Sequence, residues 1–274
     1  MLARTAALLI VCGGLMTDTA RAQTRPNPTE SAAGRQPASI DAVFERKLLK
    51  GTRGHGTLVH VHTGAADAPT TIFVHGMPGA VSSLTGVIQK AIDAGGTVEA
   101  FAYDNKYRSL EDSSRDLASS LESWMDDNPD RTLRLAAHSM GGRLALGALA
   151  ILNRDGRLTG DVELNLMASP IAGIKGAIFS VLAPGFIPWI RPMRGIASVS
   201  KFQGVIDRLE LPPNVTVNIF VGDKDDVFKH STKKYDHLVA SLHATLKVFA
   251  NATHMGVLDE IARLPDVFPA SSAR

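Results

Sequence analysis

The sequence predicts an α/β fold in which a mainly parallel central sheet is covered by helices on both faces. Short apolar runs alternate along the chain with longer stretches of helical periodicity, and Gly or Pro ends many of these runs. Such alternation implies right-handed crossovers between parallel strands. The length of 274 residues, with 45% hydrophobic and 20% charged residues, fits one globular domain.

The N-terminal residues 1–22 have the features of a secretory signal peptide. Arg4 supplies a positive charge, Ala6–Met16 is apolar, and small residues at Ala20 and Ala22 form a cleavage site. The sequence therefore predicts export, to the periplasm or outside the cell. A membrane anchor is an alternative, but the apolar stretch is about half of the roughly 20 residues that a span needs. The other alternative is lipid attachment at the only cysteine, Cys12.

The next segment, residues 23–39, is polar and Pro-rich and predicts a flexible lead-in to a folded domain at 40–274. The formal net charge of the chain is only +2. Strong attraction to nucleic acid is therefore not expected.

The strands are predicted from short apolar runs bounded by turn residues. They are Thr57–Val61, Thr71–Val74, Val98–Ala102, Leu133–Ala137, Val162–Met167, Val215–Val221 and Thr245–Phe249. In parallel sheets the functional groups gather beyond the carboxyl ends of the strands. The motifs described below fall at such ends.

The helices are predicted between these strands from helical periodicity and end signals. They are Val81 to Ala94, stopped by two glycines; Ser109 to the residue before Asn128; Gly141–Leu152; a helix near Ser231–Leu242; and one that begins near Val257. The helix after Ser109 carries Leu110, Leu117, Leu121 and Trp124 on one face.

The most specific motif, Ala137-His138-Ser139-Met140-Gly141-Gly142, lies between a predicted strand and a predicted helix. Small residues suit a tight turn there, and the helix N-terminus beside the Ser139 hydroxyl favours negative charge. A serine that merely caps the helix is the alternative. The motif resembles the nucleophile elbow of the α/β-hydrolase family, with Ala137 where the usual pattern has glycine. The resemblance implies an α/β-hydrolase fold with Ser139 as nucleophile.

A second motif, at residues 74–79, is similar to the His-Gly-x segment of the same family. The resemblance assigns the backbone N–H groups of Met77 and Met140 to an oxyanion hole. A simple Gly/Pro turn is the alternative.

Two further motifs complete the resemblance, in the chain order Ser, Asp, His. Three carboxylates follow the strand that ends near Val221, and the Gly-x-x-Asp spacing of the family favours Asp225, while Asp223 and Asp226 stay open. His254 follows the last strand and is the predicted general base. A solvated loop histidine is the alternative there.

A cap insertion is predicted at about residues 170–213, because the connection between two strands is longer than a single helix with short loops requires. Its apolar residues predict an acyl pocket that includes Phe179, Phe186 and Trp189, or else they only pack the cap onto the body. From Leu164 to Gly204 the only charged residues are Lys175, Arg191, Arg194 and Lys201, so weak contact with an anionic membrane surface is a further expectation.

The remaining histidines point to no metal site. His60 and His62 are expected on one face of a strand, but no nearby Cys or carboxylate completes a ligand set. His75 and His138 belong to motif positions and are predicted to be structural. Neither a metal nor another cofactor is therefore expected.

The resemblance implies a serine hydrolase that cleaves carboxylic esters through an acyl-enzyme, with a small-molecule ester and a hydrophobic acyl group as substrate. A thioesterase, an amidase or peptidase, and an acyltransferase would use the same residues and stay open. A hydrolase-like binding protein without activity is the alternative of a different class. The sequence gives no oligomeric state.

Overall fold

The computed structural model describes residues 55–77, 81–105, 107–178, 190–230, 232–265 and 267–268. All of them belong to the compact unit Ser39–Arg274. The predicted signal peptide and lead-in lie outside the described residues and stay predictions. Among the described helices, none is long and apolar enough to cross a membrane.

Within the described residues, seven strands form one sheet in the order β1-β3-β2-β4-β5-β6-β7. They are β1 Thr57–His62, β2 Thr70–Val74, β3 Thr97–Ala102, β4 Leu133–His138, β5 Val162–Met167, β6 Val215–Gly222 and β7 Thr245–Phe249. Only β1 is antiparallel to its neighbour, and every other pairing is parallel. The central strands β2 and β4 are buried along their whole length, as strands covered on both faces are, and the buried Arg134 of β4 is paired with Glu163 of β5. The predicted mainly parallel sheet is confirmed.

The helices lie on both faces of the sheet. They are α1 Thr85–Asp93, α2 Leu110–Asp127, α3 Met140–Arg154, α4 Ile190–Ile196, α5 Lys201–Ile206, α6 Lys233–Ser241 and α7 Gly256–Arg263. One core cluster joins α1 and α7 to Phe73 of β2. The other joins α2, α3, α5 and α6 to the neighbouring Ile72. Because successive strand residues point to opposite faces, β2 contributes to both cores.

Several boundaries differ from the predicted ones for local reasons. The helix predicted from Val81 begins as a 3-10 turn, Val81–Leu84, before the α-helix. The helix predicted near Ser231 begins at Lys233, because the Thr232 side chain accepts a hydrogen bond from the Tyr235 N–H and caps it. These shifts leave the order of the elements as predicted.

The expectation that His60 and His62 share one face of β1 is wrong. A register shift between them pairs His60 with Glu99 and His62 with Val98. Since Glu99 and Val98 are consecutive residues of β3, the two histidines point to opposite faces.

The insertion between β5 and β6 is described at residues 170–178 and 190–213. It contains a 3-10 turn at Lys175–Ile178, followed by α4 and α5. These helices pack on α2 and α3, where Gly195 lies against Leu110 and Gly147 lies against Phe202. Phe179, Phe186 and Trp189, predicted to line an acyl pocket, lie outside the described residues.

Candidate active site

Ser139 lies in the turn between β4 and α3 with a strained backbone, at φ 53° and ψ −125°. A non-glycine residue with positive φ costs on the order of 1–3 kcal/mol and needs surrounding structure to hold it. Its N–H donates to the Met167 carbonyl of β5 at 2.9 Å. A Cβ at Gly141 would lie 2.5 Å from the carbonyl oxygens of Val74 and His75. The turn therefore requires glycine at position 141.

A continuous chain of hydrogen bonds joins Ser139, His254 and Asp225. The Ser139 Oγ lies 2.9 Å from the His254 Nε2, and the His254 Nδ1 lies 2.8 Å from the Asp225 Oδ2. Ser139 follows β4, Asp225 follows β6 and His254 follows β7. Parallel strands end at the same edge of a sheet, so these three loops meet although 115 residues separate Ser139 from His254.

Asp225 is held in place from its other side. Its Oδ1 accepts hydrogen bonds from the N–H groups of Val227 at 2.9 Å and Phe228 at 3.3 Å. Its side chain is 0% exposed, against 12% for His254. With both oxygens engaged, the carboxylate fixes the orientation of the imidazole.

The other two carboxylates of this loop point elsewhere. The Asp223 Oδ1 accepts a hydrogen bond of 2.6 Å from the Asn251 N–H, which links the loops after β6 and β7. Asp226 is exposed to solvent. The structure therefore brings Asp225 to His254, and neither Asp223 nor Asp226.

The loop after β2 lies directly against Ser139. A Cβ at Gly76 would lie 2.7 Å from the Ser139 Cβ and 3.3 Å from its Oγ. The Gly76 carbonyl accepts hydrogen bonds from His75 Nδ1 at 2.9 Å and from Asn105 Nδ2 at 3.3 Å. Because a trans peptide directs its C=O and N–H to opposite sides, these bonds also fix the direction of the Met77 N–H.

The second N–H predicted for an oxyanion hole belongs to Met140, the first residue of α3. The first N–H groups of a helix have no carbonyl partner inside the helix. The Met140 N–H is therefore available beside Ser139 at the positive end of the helix.

The imidazoles of His75 and His138 are buried beside the site in their neutral form. Burial lowers the pKa of His75 to about 4 and that of His138 to about 3. His75 stacks on Tyr103 with ring centroids 4.5 Å apart, and the Tyr103 hydroxyl donates to the His75 carbonyl at 2.7 Å. The His138 ring lies 5.0 Å from that of His254. A neutral His138 adds no positive charge beside His254.

Arg143, which the sequence analysis did not single out, is fully buried one helical turn after Ser139. Its guanidinium donates to the carbonyls of Pro170 at 3.0 Å and Gly195 at 2.7 Å, and to the Gln203 Oε1 at 2.6 Å. Burial lowers its pKa to about 9. Arg143 thereby links both described parts of the β5–β6 insertion to α3, the helix that follows Ser139. An arginine inside an Ala- and Leu-rich helix is the signal that could have revealed it.

Among the described residues, no group of three His, Cys, Asp or Glu side chains is placed to hold a metal ion.

The hydrogen bonds among the Ser139 hydroxyl, the His254 imidazole and the Asp225 carboxylate form a path along which a proton can pass from the serine oxygen to the histidine nitrogen.

Residues 87–179 match a family described as alpha/beta hydrolase of unknown function, DUF900. No curated protein matches this chain in sequence.

Three solved structures illustrate the likeness of the fold. A bromoperoxidase from Bacillus anthracis has a TM-score of 0.54 and 12% identity, covering 75% of this chain and 91% of its own. An esterase from Exiguobacterium antarcticum has a TM-score of 0.54 and 14% identity, with coverages of 75% and 90%. A monoacylglycerol lipase from Paleococcus ferrophilus has a TM-score of 0.52 and 14% identity, with coverages of 78% and 94%. These likenesses show that the chain has the α/β-hydrolase fold, and the predicted fold class is confirmed.

Proposed function

We propose that the protein is a serine hydrolase that cleaves carboxylic esters. The observation that carries this proposal is the hydrogen-bonded chain from the Ser139 hydroxyl through His254 to the buried Asp225. A serine hydroxyl is a poor nucleophile at neutral pH unless a base takes its proton as it attacks. His254 is within reach of that proton, and Asp225 stabilises the imidazolium that results.

The reaction proceeds in two halves through an acyl-enzyme. The Ser139 Oγ attacks the ester carbonyl while His254 Nε2 takes the hydroxyl proton, and the imidazolium then protonates the departing alcohol. In the second half water attacks the acyl-serine and gives one proton to His254. The imidazolium then returns that proton to the Ser139 Oγ as the bond between Oγ and the acyl carbon breaks, which releases the carboxylic acid. Each half develops an oxyanion, which the N–H groups of Met77 and Met140 stabilise.

The substrate preference remains part of the proposal. The predicted acyl pocket at Phe179, Phe186 and Trp189 favours a medium or long acyl chain over acetyl. Each buried methylene contributes up to roughly 0.8 kcal/mol, but only the part realised in the transition state raises turnover. We expect about a hundredfold higher kcat/KM for octanoate than for acetate esters.

The proposed activity is tested with 4-nitrophenyl esters from acetate to palmitate, alongside a thioester and an anilide. Ser139→Ala should lower ester hydrolysis by about three orders of magnitude or more while the protein stays folded. Trp189→Ala should reduce octanoate hydrolysis more than acetate hydrolysis. A steady decline of kcat/KM from acetate upward would exclude the acyl pocket, and a faster reaction with the thioester or anilide would reassign the substrate class.

We also propose that the protein is exported after cleavage of residues 1–22. The mature protein isolated from the periplasm or medium should then begin at Gln23. A cell-associated protein that retains Met1 would exclude this.

A further inference from the structure

A cavity of about 660 Å³ lies beside the candidate active site. Its walls are residues 172–175 of the β5–β6 insertion, Ser198, residues 225–229 after β6, and residues 232–234 at the start of α6. We call it the lysine cavity, because Lys175, Lys229, Lys233 and Lys234 line it.

The lysine cavity has a surplus of positive charge. Lys175, Lys229 and Lys233 are exposed, and no hydrogen bond or ion pair joins their ammonium groups to another residue in the described part of the chain. Lys234 is neutralised by Asp207 across a 2.8 Å ion pair. Of the two acidic residues that line the cavity, Asp226 is exposed, which leaves three unpaired cations against one exposed carboxylate.

The second acidic lining residue, Asp225, does not offset this charge. Its side chain is 0% exposed and both of its oxygens are engaged, one by His254 and one by backbone N–H groups. The start of α6 adds to the positive potential, because the N-terminal end of a helix favours anions.

The aromatic side chain of Phe228 also links the cavity to His254. Phe228 lines the cavity, and its ring meets the His254 ring edge to face with centroids 6.1 Å apart. Ile174 and Val227 line the same cavity. An occupant that combines an apolar stem with a negative end therefore matches these walls.

We propose that the lysine cavity binds a carboxylate carried by the ester substrate. This inference rests on the proposed function, and it narrows the substrate class to esters with a negative group on the acyl or the alcohol side. A free carboxylate anion that is not part of a substrate could bind the same lysines. The experiment below distinguishes binding of a free anion from binding of a carboxylate on the ester.

The kinetic test compares charged and neutral esters of matched length. The pairs are 4-nitrophenyl hydrogen glutarate with 4-nitrophenyl pentanoate, which places the charge on the acyl side, and 4-(butanoyloxy)benzoate with phenyl butanoate, which places it on the alcohol side. For each pair, the measured quantity is kcat/KM for the charged ester divided by kcat/KM for the neutral ester. For at least one pair, this ratio should fall about tenfold in the triple variant Lys175→Gln, Lys229→Gln, Lys233→Gln. The expected fall is only about tenfold because each exposed ion pair contributes a small factor.

Lys224→Gln is the matched control. Lys224 is exposed in the same loop after β6 but does not line the cavity, so its loss should leave the ratio unchanged. In the wild type, raising the ionic strength from about 0.1 M to about 1 M should lower the ratio, because the screening length shortens from about 10 Å to about 3 Å. The triple variant should lose this salt dependence.

Binding is measured separately from catalysis by reductive methylation of lysines in the full-length protein, with glutarate as the probe. Glutarate should protect Lys175, Lys229 and Lys233 and leave Lys224 reactive. If esters are hydrolysed but the triple variant and Lys224→Gln give the same ratios, the inference is overturned while the proposed function stands. If no ester is hydrolysed and glutarate still protects the lysines, the proposed function fails and the cavity is a free-anion site rather than a substrate site.

Discussion

Replacing Gly76 with alanine tests whether the loop after β2 positions an oxyanion donor against Ser139. The new methyl carbon would lie 2.7 Å from the Ser139 Cβ and 3.1 Å from the His138 carbonyl oxygen. Carbon atoms prefer separations of about 3.5–4.0 Å, so one side must move by about 1 Å. Ser139 cannot retreat easily, because its N–H is bonded to Met167 and its carbonyl accepts from the Gly142 N–H at 3.1 Å.

The loop that carries the Met77 N–H is therefore the part that shifts. A displacement of about 1 Å, or the loss of one oxyanion donor, typically costs about a hundredfold in rate. We expect Gly76→Ala to lower kcat for 4-nitrophenyl butyrate about a hundredfold, with a much smaller change in KM.

Gly86→Ala is the matched control for this substitution. Its new Cβ would lie 3.9 Å from the Ala262 Cβ, an ordinary contact, and Gly86 is in α1 away from the site. Stability should rise by roughly 0.5–1 kcal/mol, because alanine is the better helix former. Circular dichroism and thermal unfolding verify that both variants are folded. A folded Gly76→Ala enzyme whose kcat stays within a few-fold of wild type would refute the proposed position of the donor.

Three further predictions follow from the surroundings of Ser139. Asp225→Asn should lower kcat by about three orders of magnitude or more, because the amide no longer holds the right imidazole tautomer, whereas Asp223→Asn and Asp226→Asn should stay within about tenfold. Arg143→Met should lower the free energy of unfolding in urea by about 3 kcal/mol, because buried carbonyls lose their donor. Stability should also fall as the pH drops below about 6.5, because the unfolded chain binds a proton at His138 and the folded chain, with a pKa of about 3, does not. The slope for this residue is about 1.4 kcal/mol per pH unit, and His138→Gln should flatten it.

Each of these predictions has a clear contrary outcome. If Asp226→Asn proved the most damaging of the three carboxylate variants, the loop after β6 would have a different register in solution. If Arg143→Met had the same free energy of unfolding as the wild type, water would have replaced the guanidinium as hydrogen-bond donor to the buried carbonyls. A stability curve that is unchanged in His138→Gln between pH 7 and 5 would mean that His138 is not buried as a neutral imidazole.

The parts of the fold that depend on residues close together in the sequence could be predicted from it. Strands β5 and β7 begin and end where predicted, and the turn at Ser139 lies between a strand and a helix as its small residues require. The shift of α6 to Lys233 and the bulge beside His60 were not predicted, because each depends on one local hydrogen bond or pairing that alternation does not encode.

The parts of the site that join distant segments could not be predicted. The partners of Arg143 are carbonyls and an amide 27 to 60 residues away, and no periodic pattern marks a backbone acceptor. The lysine cavity likewise forms only when Lys175 meets the loop after β6 and the start of α6. Asp225 was favoured over Asp223 and Asp226 by family spacing, and its position against His254 depends on the register of β6 with β7.

The most direct test of the account is the site of labelling by a fluorophosphonate probe. Such probes react with a serine that an adjacent base activates. Incubation of the wild type, followed by peptide mapping, should give one adduct at Ser139. Labelling should be absent in Ser139→Ala and strongly slowed in His254→Ala. A folded wild-type protein that is not labelled, or a Ser139→Ala variant that is labelled at the wild-type rate on another residue, would contradict the assignment of Ser139 as the nucleophile.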